Sequence, residues 1–222
     1  MLRMVKPFSL LLMFLACLAT ACGAALPIEP PTRTPLIVPT PTVNKVARLE
    51  TEMNGVRLSI ETPAGWEGRT TGDGLMLAEH FDPMDDAAGD DVQMHLFVHP
   101  TNQFRAPQDT TVNPAWDMLK QVQANPNYMG TAKTTEPQPF NWDGHDSAYY
   151  LVNDGSGSVS ILLAMLVRDP MVLVVSNISA PLSRHQDIRP LLPTLFQTLT
   201  INGQPLSLTV LDSLPDPLVF PQ

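Results

Sequence analysis

Ser147 to Ile178 reads SAYYLVNDGSGSVSILLAMLVRDPMVLVVSNI, and this stretch decides the fold. Asp154-Gly155-Ser156-Gly157 is a turn signal, and Arg168-Asp169-Pro170 is a second one. They divide the segment into three strands. Val159, Ile161, Leu163, Met165 and Val167 alternate with Ser160, Leu162, Ala164 and Leu166, so the second strand is apolar on both faces. The third, Met171 to Ile178, has the same character. Strands apolar on both sides belong to a sheet covered on both faces. Membrane-spanning strands are the rival reading, but each apolar run is under ten residues and the connecting turn is charged and polar.

Working outward, Asp143-Gly144 turns the chain into this meander, and the threonine-rich strand Thr131 to Gln138 precedes it. Pro137 and Pro139 mark that strand as an edge. Towards the N-terminus, Val56 to Glu61 alternates as a strand and runs into Pro63-Ala-Gly-Trp66, a turn with a buried aromatic. Gly74 to Phe81 is another strand, and Val92, Met94, Leu96 and Val98 share one face of the next. Asn113-Pro114 starts a helix, as an N-cap followed by proline at the first helical position. That helix ends before Pro126, with Ala115, Met118, Leu119 and Val122 on one stripe. A final helix over Asp187 to Thr198 carries Leu191, Leu192, Leu195, Phe196 and Leu199 on its apolar side, with Pro190 and Pro193 expected near its first turn. The predicted class is α+β, with a central, mostly antiparallel sheet covered by helices on both faces.

Two short motifs carry a family resemblance. Gly55-Val-Arg-Leu-Ser-Ile60 leading to Pro63-Ala-Gly-Trp66, and the later Trp142-Asp-Gly144-His-Asp-Ser-Ala148-Tyr149-Tyr150, resemble PsbP-like and Mog-like domains over residues 50–202. The resemblance implies an α/β/α sandwich. Family members include photosystem accessory subunits, a Ran-binding protein, secretion chaperones and surface lipoproteins, which act mainly as binding or assembly modules. No catalytic residues carry over from the family.

The flanks describe how this domain is presented. Arg3 and Lys6 precede an uncharged run from Phe8 to Ala21, the pattern of a secretory signal over residues 1–21. Leu18-Ala19-Thr20-Ala21-Cys22-Gly23 resembles the bacterial lipoprotein signal and makes Cys22 the expected lipidation site. Residues 22–45 then form a stalk, with six prolines between Pro27 and Pro41 and threonines among them. Such a segment is extended, at about 3.1 Å per residue. The domain is expected over residues 46–203, and a proline-rich apolar tail over 204–222. The tail's Val210, Leu211, Leu214, Leu218, Val219 and Phe220 suit either packing on the domain or a partner. Of the 23 prolines, six lie in the stalk and four in the tail, so the excess belongs to the flanks.

Charge and cysteine usage exclude several chemistries. The net charge is −9 over 222 residues, which argues against a nucleic-acid partner. Loss of Arg3 and Lys6 with the signal makes the mature charge −11, so the lipid rather than the protein surface is expected to hold the chain at the outer face of the cell membrane. No cysteine follows Cys22, which rules out a disulfide framework or cysteine zinc site in the domain. His95 and His99 share one strand face, about 13 Å apart, too far to share one ion. Asp82, Asp85, Asp86, Asp90 and Asp91 form an acidic loop that is a weak calcium candidate, without the spacing of a calcium-binding loop. Gly155-Ser-Gly-Ser158 is a hairpin turn rather than a nucleophile elbow, and His145-Asp146 has no companion serine at a recognisable spacing. Asn177-Ile-Ser179 matches a glycosylation sequon but falls inside a strand.

No cofactor is expected. The leading expectation is a non-enzymatic, lipid-anchored surface protein whose domain binds or stabilises another envelope component. The alternative is a carrier of a small apolar or lipid ligand held between helix and sheet, with Met76, Met94, Met118 and Met165 as soft lining. A metal-dependent hydrolase ranks third.

Overall fold

The computed structural model describes residues 47–81, 91–105 and 112–222. Cys22, the signal and the stalk lie outside the described residues, as do Asp82, Asp85, Asp86 and Asp90. No described helix is long and apolar enough to cross a membrane.

The stretch that decides the fold supplies the middle of a large sheet. Its strands are β3 (Glu67–Thr70), β4 (Gly74–Ala78), β5 (Gln93–Pro100), β6 (Lys133–Thr134), β7 (Gln138–Trp142), β8 (His145–Asn153), β9 (Ser158–Arg168) and β10 (Met171–Pro181). The order is β3-β4-β5-β10-β9-β8-β6, with β7 also pairing with β8, and every pair is antiparallel. The expected single strand over Thr131 to Gln138 is instead two pieces, β6 and β7. Pro137 lacks an amide hydrogen for a continuous ladder there.

A second sheet was not foreseen. β1 (Arg48–Met53) and β2 (Val56–Glu61) form a hairpin, and the short strands β11 (Thr200–Ile201) and β12 (Gln204–Pro205) extend it in the order β1-β2-β11-β12. The turn of the first hairpin needs left-handed backbone at Asn54 (φ 49°) and Gly55 (φ 78°), which asparagine and glycine tolerate best.

Period-two alternation in β9 and β10 builds two separate cores. Ile161, Leu163, Met165, Val172, Val174 and Ile178 face one side of the sheet. Ala164, Leu166, Leu173 and Val175 face the other. Helix α1 (Pro114–Gln123) packs Ala115, Met118 and Leu119 on the second side. The opposite side is not covered by helix alone. Its layer mixes Val56, Leu58 and Ile60 of β2 with Ile188, Leu192, Leu195 and Phe196 of α3 (Ile188–Phe196) and with the tail. Between α1 and β6 lies only the one-turn helix α2 (Pro126–Met129).

α3 starts at Ile188, directly after a 3-10 segment over Leu182–Asp187, and stops at Phe196; Pro190 falls in its first turn as expected, but Pro193 lies inside the helix. Trp66 is half-buried at the edge of the core rather than enclosed.

The tail is packed on the domain. Leu211, Leu214, Leu218 and Phe220 are buried in the core shared with α3 and the sheet. Trp142 donates its indole N–H to the Ser207 carbonyl at 2.9 Å, and Arg189 donates to the Leu211 carbonyl at 2.9 Å. Asn153 and Lys133 hold the carbonyls of Pro221 and Gln222 at 2.9 and 2.7 Å.

One ion-pair cluster fastens strand ends. Arg184 places Nη2 2.8 Å from Glu79 Oε1 and Nε 2.9 Å from Asp187 Oδ2, while Glu79 Oε2 accepts the Val92 amide at 3.0 Å. The Arg184 bond, and more weakly the Val92 amide, outweigh partial burial and hold the Glu79 carboxyl below the ordinary value of 4.5. The stability this adds is complete above the ordinary value and is lost as pH falls through the depressed one. Arg184→Ala is expected to cost about 1–2 kcal/mol near neutral pH, with the deficit shrinking in acid. Urea melts at several pH values check this; a deficit constant with pH contradicts it.

Candidate ligand cleft

α1 is placed by its cap. Asn113 Oδ1 accepts the Trp116 amide at 3.1 Å, and Asn113 Nδ2 donates to the Ser147 carbonyl at 3.1 Å, tying the helix start to β8. Trp116 donates its indole N–H to the Pro137 carbonyl at 2.9 Å, which fastens the helix to the segment before β7. The helix so placed lies over β8 and β9. The sheet is wider than one helix, and β10 and β5 continue the same face beside it.

The space left between α1 and that open face is a cleft of about 390 Å3. Its apolar wall includes Phe97, Leu119, Tyr150, Leu162 and Val175. A hollow of about 490 Å3, sharing His99 and Val122 with the cleft, adjoins it towards Arg105 and Gln121. A polar one of about 310 Å3 shares Asp154, Ser160 and Asn177 with it and reaches Asp91. A volume of this size, largely apolar with a few polar groups, is typical of small-molecule sites.

Along β5 the rings of His95, Phe97 and His99 stand in a row. Phe97 is 4.9 Å from His95 and 5.1 Å from His99, centroid to centroid, and Phe104 continues the row 6.3 Å from His99. A phenyl ring thus separates the two imidazoles, and they do not meet at an ion. No group of three or more potential metal ligands occurs among the described residues. Asp91, the one described member of the acidic loop candidate, lies 3.5 Å from His80 Nδ1.

His95 belongs to a cluster that sequence reading missed. Its Nε2 is 3.1 Å from Asp73 Oδ1 and 3.4 Å from Thr71 Oγ1, and Thr71 donates to the same Asp73 oxygen at 2.8 Å. Burial raises the Asp73 pKa, but bonds from Thr71 and His95 outweigh it and leave the carboxyl below its ordinary value. The residue types are those of a catalytic triad, but the arrangement is not. Hydroxyl and carboxylate meet the same ring nitrogen, so the imidazole cannot relay a proton between them. His145, the other histidine weighed for catalysis, places Nδ1 3.2 Å from the Leu166 carbonyl, and Asp146 pairs with Arg168. The Ser147 hydroxyl donates to the backbone carbonyl of His145 at 3.2 Å, not to its ring.

Six polar side chains line the cleft, Thr131 and Ser160 together with His99, Tyr150, Asp154 and Asn177, and the last four set its chemistry. Burial depresses the His99 pKa below the ordinary 6.5, more than Asp73 and Gln103 raise it, so the ring is neutral at pH 7. Since its folded pKa is depressed, its contribution to stability is complete above 6.5 and is lost as pH falls through the depressed value. An NMR titration is expected to place the His99 midpoint below those of exposed imidazoles; a midpoint at or above 6.5 contradicts its burial. Burial likewise raises Tyr150 far above an ordinary phenol, and its hydroxyl donates to Met129 Sδ at 3.7 Å.

At one end stand Asp154 and Asn177. Burial raises the Asp154 pKa, but its bonds in the β8–β9 turn, from the Ser156 hydroxyl and amide and the Ser158 amide, outweigh it. The net shift is downward, and the group is a carboxylate at neutral pH. Asn177 Oδ1 is buried and has no hydrogen-bond partner. It is the sole such side-chain atom among the described residues. A buried acceptor without a donor costs roughly 1–3 kcal/mol, which marks the position.

The four methionines expected as lining lie elsewhere. Met94 and Met165 are buried on the opposite face of the sheet, Met118 packs under α1, and Met76 is on β4. The methionine at the cleft is Met129. In the sequence Asn177 stands out only as the first residue of a sequon. Its usable signal was a polar residue in the middle of an apolar strand, on the face shared with Leu173 and Val175.

No family model matches the chain, and no curated protein matches it. Among solved structures it is similar to cyanobacterial PsbP (CyanoP) from Synechocystis, with a TM-score of 0.42 and 14% identity, covering 72% of this chain and 95% of that one. It is also similar to the Saccharomyces cerevisiae Ran-binding protein Mog1p, with a TM-score of 0.42 and 13% identity, covering 75% of this chain and 99% of that one.

Proposed function

We propose that this chain is a non-enzymatic, lipid-anchored extracytoplasmic protein that holds a small, largely apolar molecule in the cleft beside α1. The observation that carries the reading is the cleft itself, about 390 Å3 with Phe97, Tyr150, Leu162 and Val175 along its wall. The rival reading, docking of an envelope protein on an apolar surface, has less support. The large exposed hydrophobic residues among those described are Met171, Leu182 and Val219. Met171 begins β10 and Leu182 follows its end, an eleven-residue strand apart, so these two form no common patch.

Two experiments test the two halves of the proposal. For the tether, Cys22→Ser is expected to release the chain from the membrane fraction, and retention there contradicts lipidation at Cys22. For the cleft, Nile red is expected to bind saturably to the mature chain with Cys22→Ser. Val122→Trp, which fills the cleft from α1, is expected to abolish that binding while leaving the thermal transition in place. Absence of saturable binding, or equal binding by the Trp variant, removes the carrier reading.

A further inference from the structure

Resting on the reading of the α1 cleft as a ligand site, we propose that its ligand is a small organic ammonium ion, with Asn177 Oδ1 and the Asp154 carboxylate receiving the N–H donors and the Phe97–Leu162–Val175 wall holding the apolar body. Three observations converge. First, the polar end of the cleft offers acceptors. Asn177 Oδ1 is buried and unpartnered, and a donor from a ligand is what would satisfy it. Asp154 already accepts the Ser156 amide and hydroxyl and the Ser158 amide at 2.8, 2.6 and 3.0 Å, three of a carboxylate's roughly four lone-pair sites, so it meets a further donor mainly through its charge.

Second, the charge in the cleft has one sign. Among the described residues lining it there is no lysine or arginine, and the one imidazole, His99, is neutral. A cation entering meets Asp154 and no like charge, whereas a carboxylate meets repulsion and finds no cationic partner. Arg105 lines the adjoining hollow rather than this one. The chain's net charge of −9 adds a long-range attraction of the same sign.

Third, the apolar wall is continuous with the ring row of β5. Phe97, with His99 beside it, offers an aromatic face or edge to an aryl or alkyl body. An ammonium alone would remain in water; the wall supplies the reason to leave it, and the acceptors fix its direction.

Phenethylamine, phenethyl alcohol and phenylacetate share one body and differ in the head. They are to be titrated into the mature chain with Cys22→Ser, followed by NMR shifts of Phe97, Val175 and Asn177. The amine is expected to bind about tenfold or more tighter than the alcohol, as a hydrogen bond to a charged group allows, with the carboxylate weakest. Asp154→Asn keeps the turn's acceptor oxygen and removes the charge. Asn177→Leu removes the unpartnered atom at similar size and is expected to melt no lower than wild type. Each variant is expected to bring the amine down towards the alcohol and to change alcohol binding less than amine binding. Equal binding of amine and alcohol overturns the ammonium assignment and leaves the cleft reading standing, as does tightest binding of phenylacetate. No response to any of the three also overturns the assignment, and the Nile red measurement then decides separately whether the cleft binds anything.

Discussion

Ending the chain after Leu206 is expected to unfold the domain. The lost segment includes Leu211, Leu214, Leu218 and Phe220, which are 1 to 5% exposed. Burying one such side chain is worth about 1.5–3 kcal/mol, so the four together contribute about 6–12 kcal/mol as an upper estimate. Domains of this size are stable by only about 5–15 kcal/mol. The truncation also bares the core around Trp142 and Phe196, whose rings lie 5.2 Å apart, and removes the carbonyl that the Trp142 indole N–H binds. Circular dichroism is expected to show no cooperative thermal transition for the truncated chain. Leu211→Ala gives a graded version, with an expected loss of about 2–5 kcal/mol in urea melts. An unchanged melting temperature for the truncated chain would mean that the tail is an accessory and not part of the core.

Gly74→Ala is expected to be nearly as damaging, although it adds one methyl. Gly74 pairs with Phe97 where β4 meets β5. A Cβ at Gly74 would stand 1.9 Å from the Leu96 carbonyl oxygen and 2.8 Å from Phe97 Cα. Both are backbone atoms of the neighbouring strand, so no side chain can rotate out of the way. Either β4 lifts from β5, taking edge strand β3 with it, or β5 shifts. Overpacking of a core commonly costs about 1–3 kcal/mol, and a clash with backbone belongs at or above the top of that range. The displacement also reaches the cleft, because Phe97 carries its aromatic wall. Chemical denaturation is expected to show the loss, with weakened Nile red binding in whatever protein remains folded. A variant with wild-type stability would contradict the close approach of these two strands.

The legible parts of this protein were those where the signal is local and periodic. β9 and β10 declared themselves by two-sided alternation, and Asn113-Pro114 announced α1 by its capping chemistry. The second sheet was illegible for a physical reason. β11 and β12 have two residues each, too few to show a period, and β11 pairs with β2 from about 140 positions away in the chain. The tail resisted for a related reason, since Leu211, Leu214, Leu218 and Phe220 occupy a 3-10 segment and extended chain between prolines, with no regular repeat. The cleft was expected only in kind, between helix and sheet. Its wall comes from β5, β8, β9, β10 and α1, and no short motif spans them. The methionine count pointed to the wrong residues, because strand alternation turned Met94 and Met165 to the opposite face.

The most direct test of the central claim is native mass spectrometry of the mature protein purified from its own membrane. The account predicts a non-covalent small-molecule adduct in addition to the lipid on Cys22, present in the wild-type protein and missing when Val122→Trp fills the cleft. Wild-type protein that carries the lipid and nothing else, or an adduct that survives in the Trp variant, would contradict it.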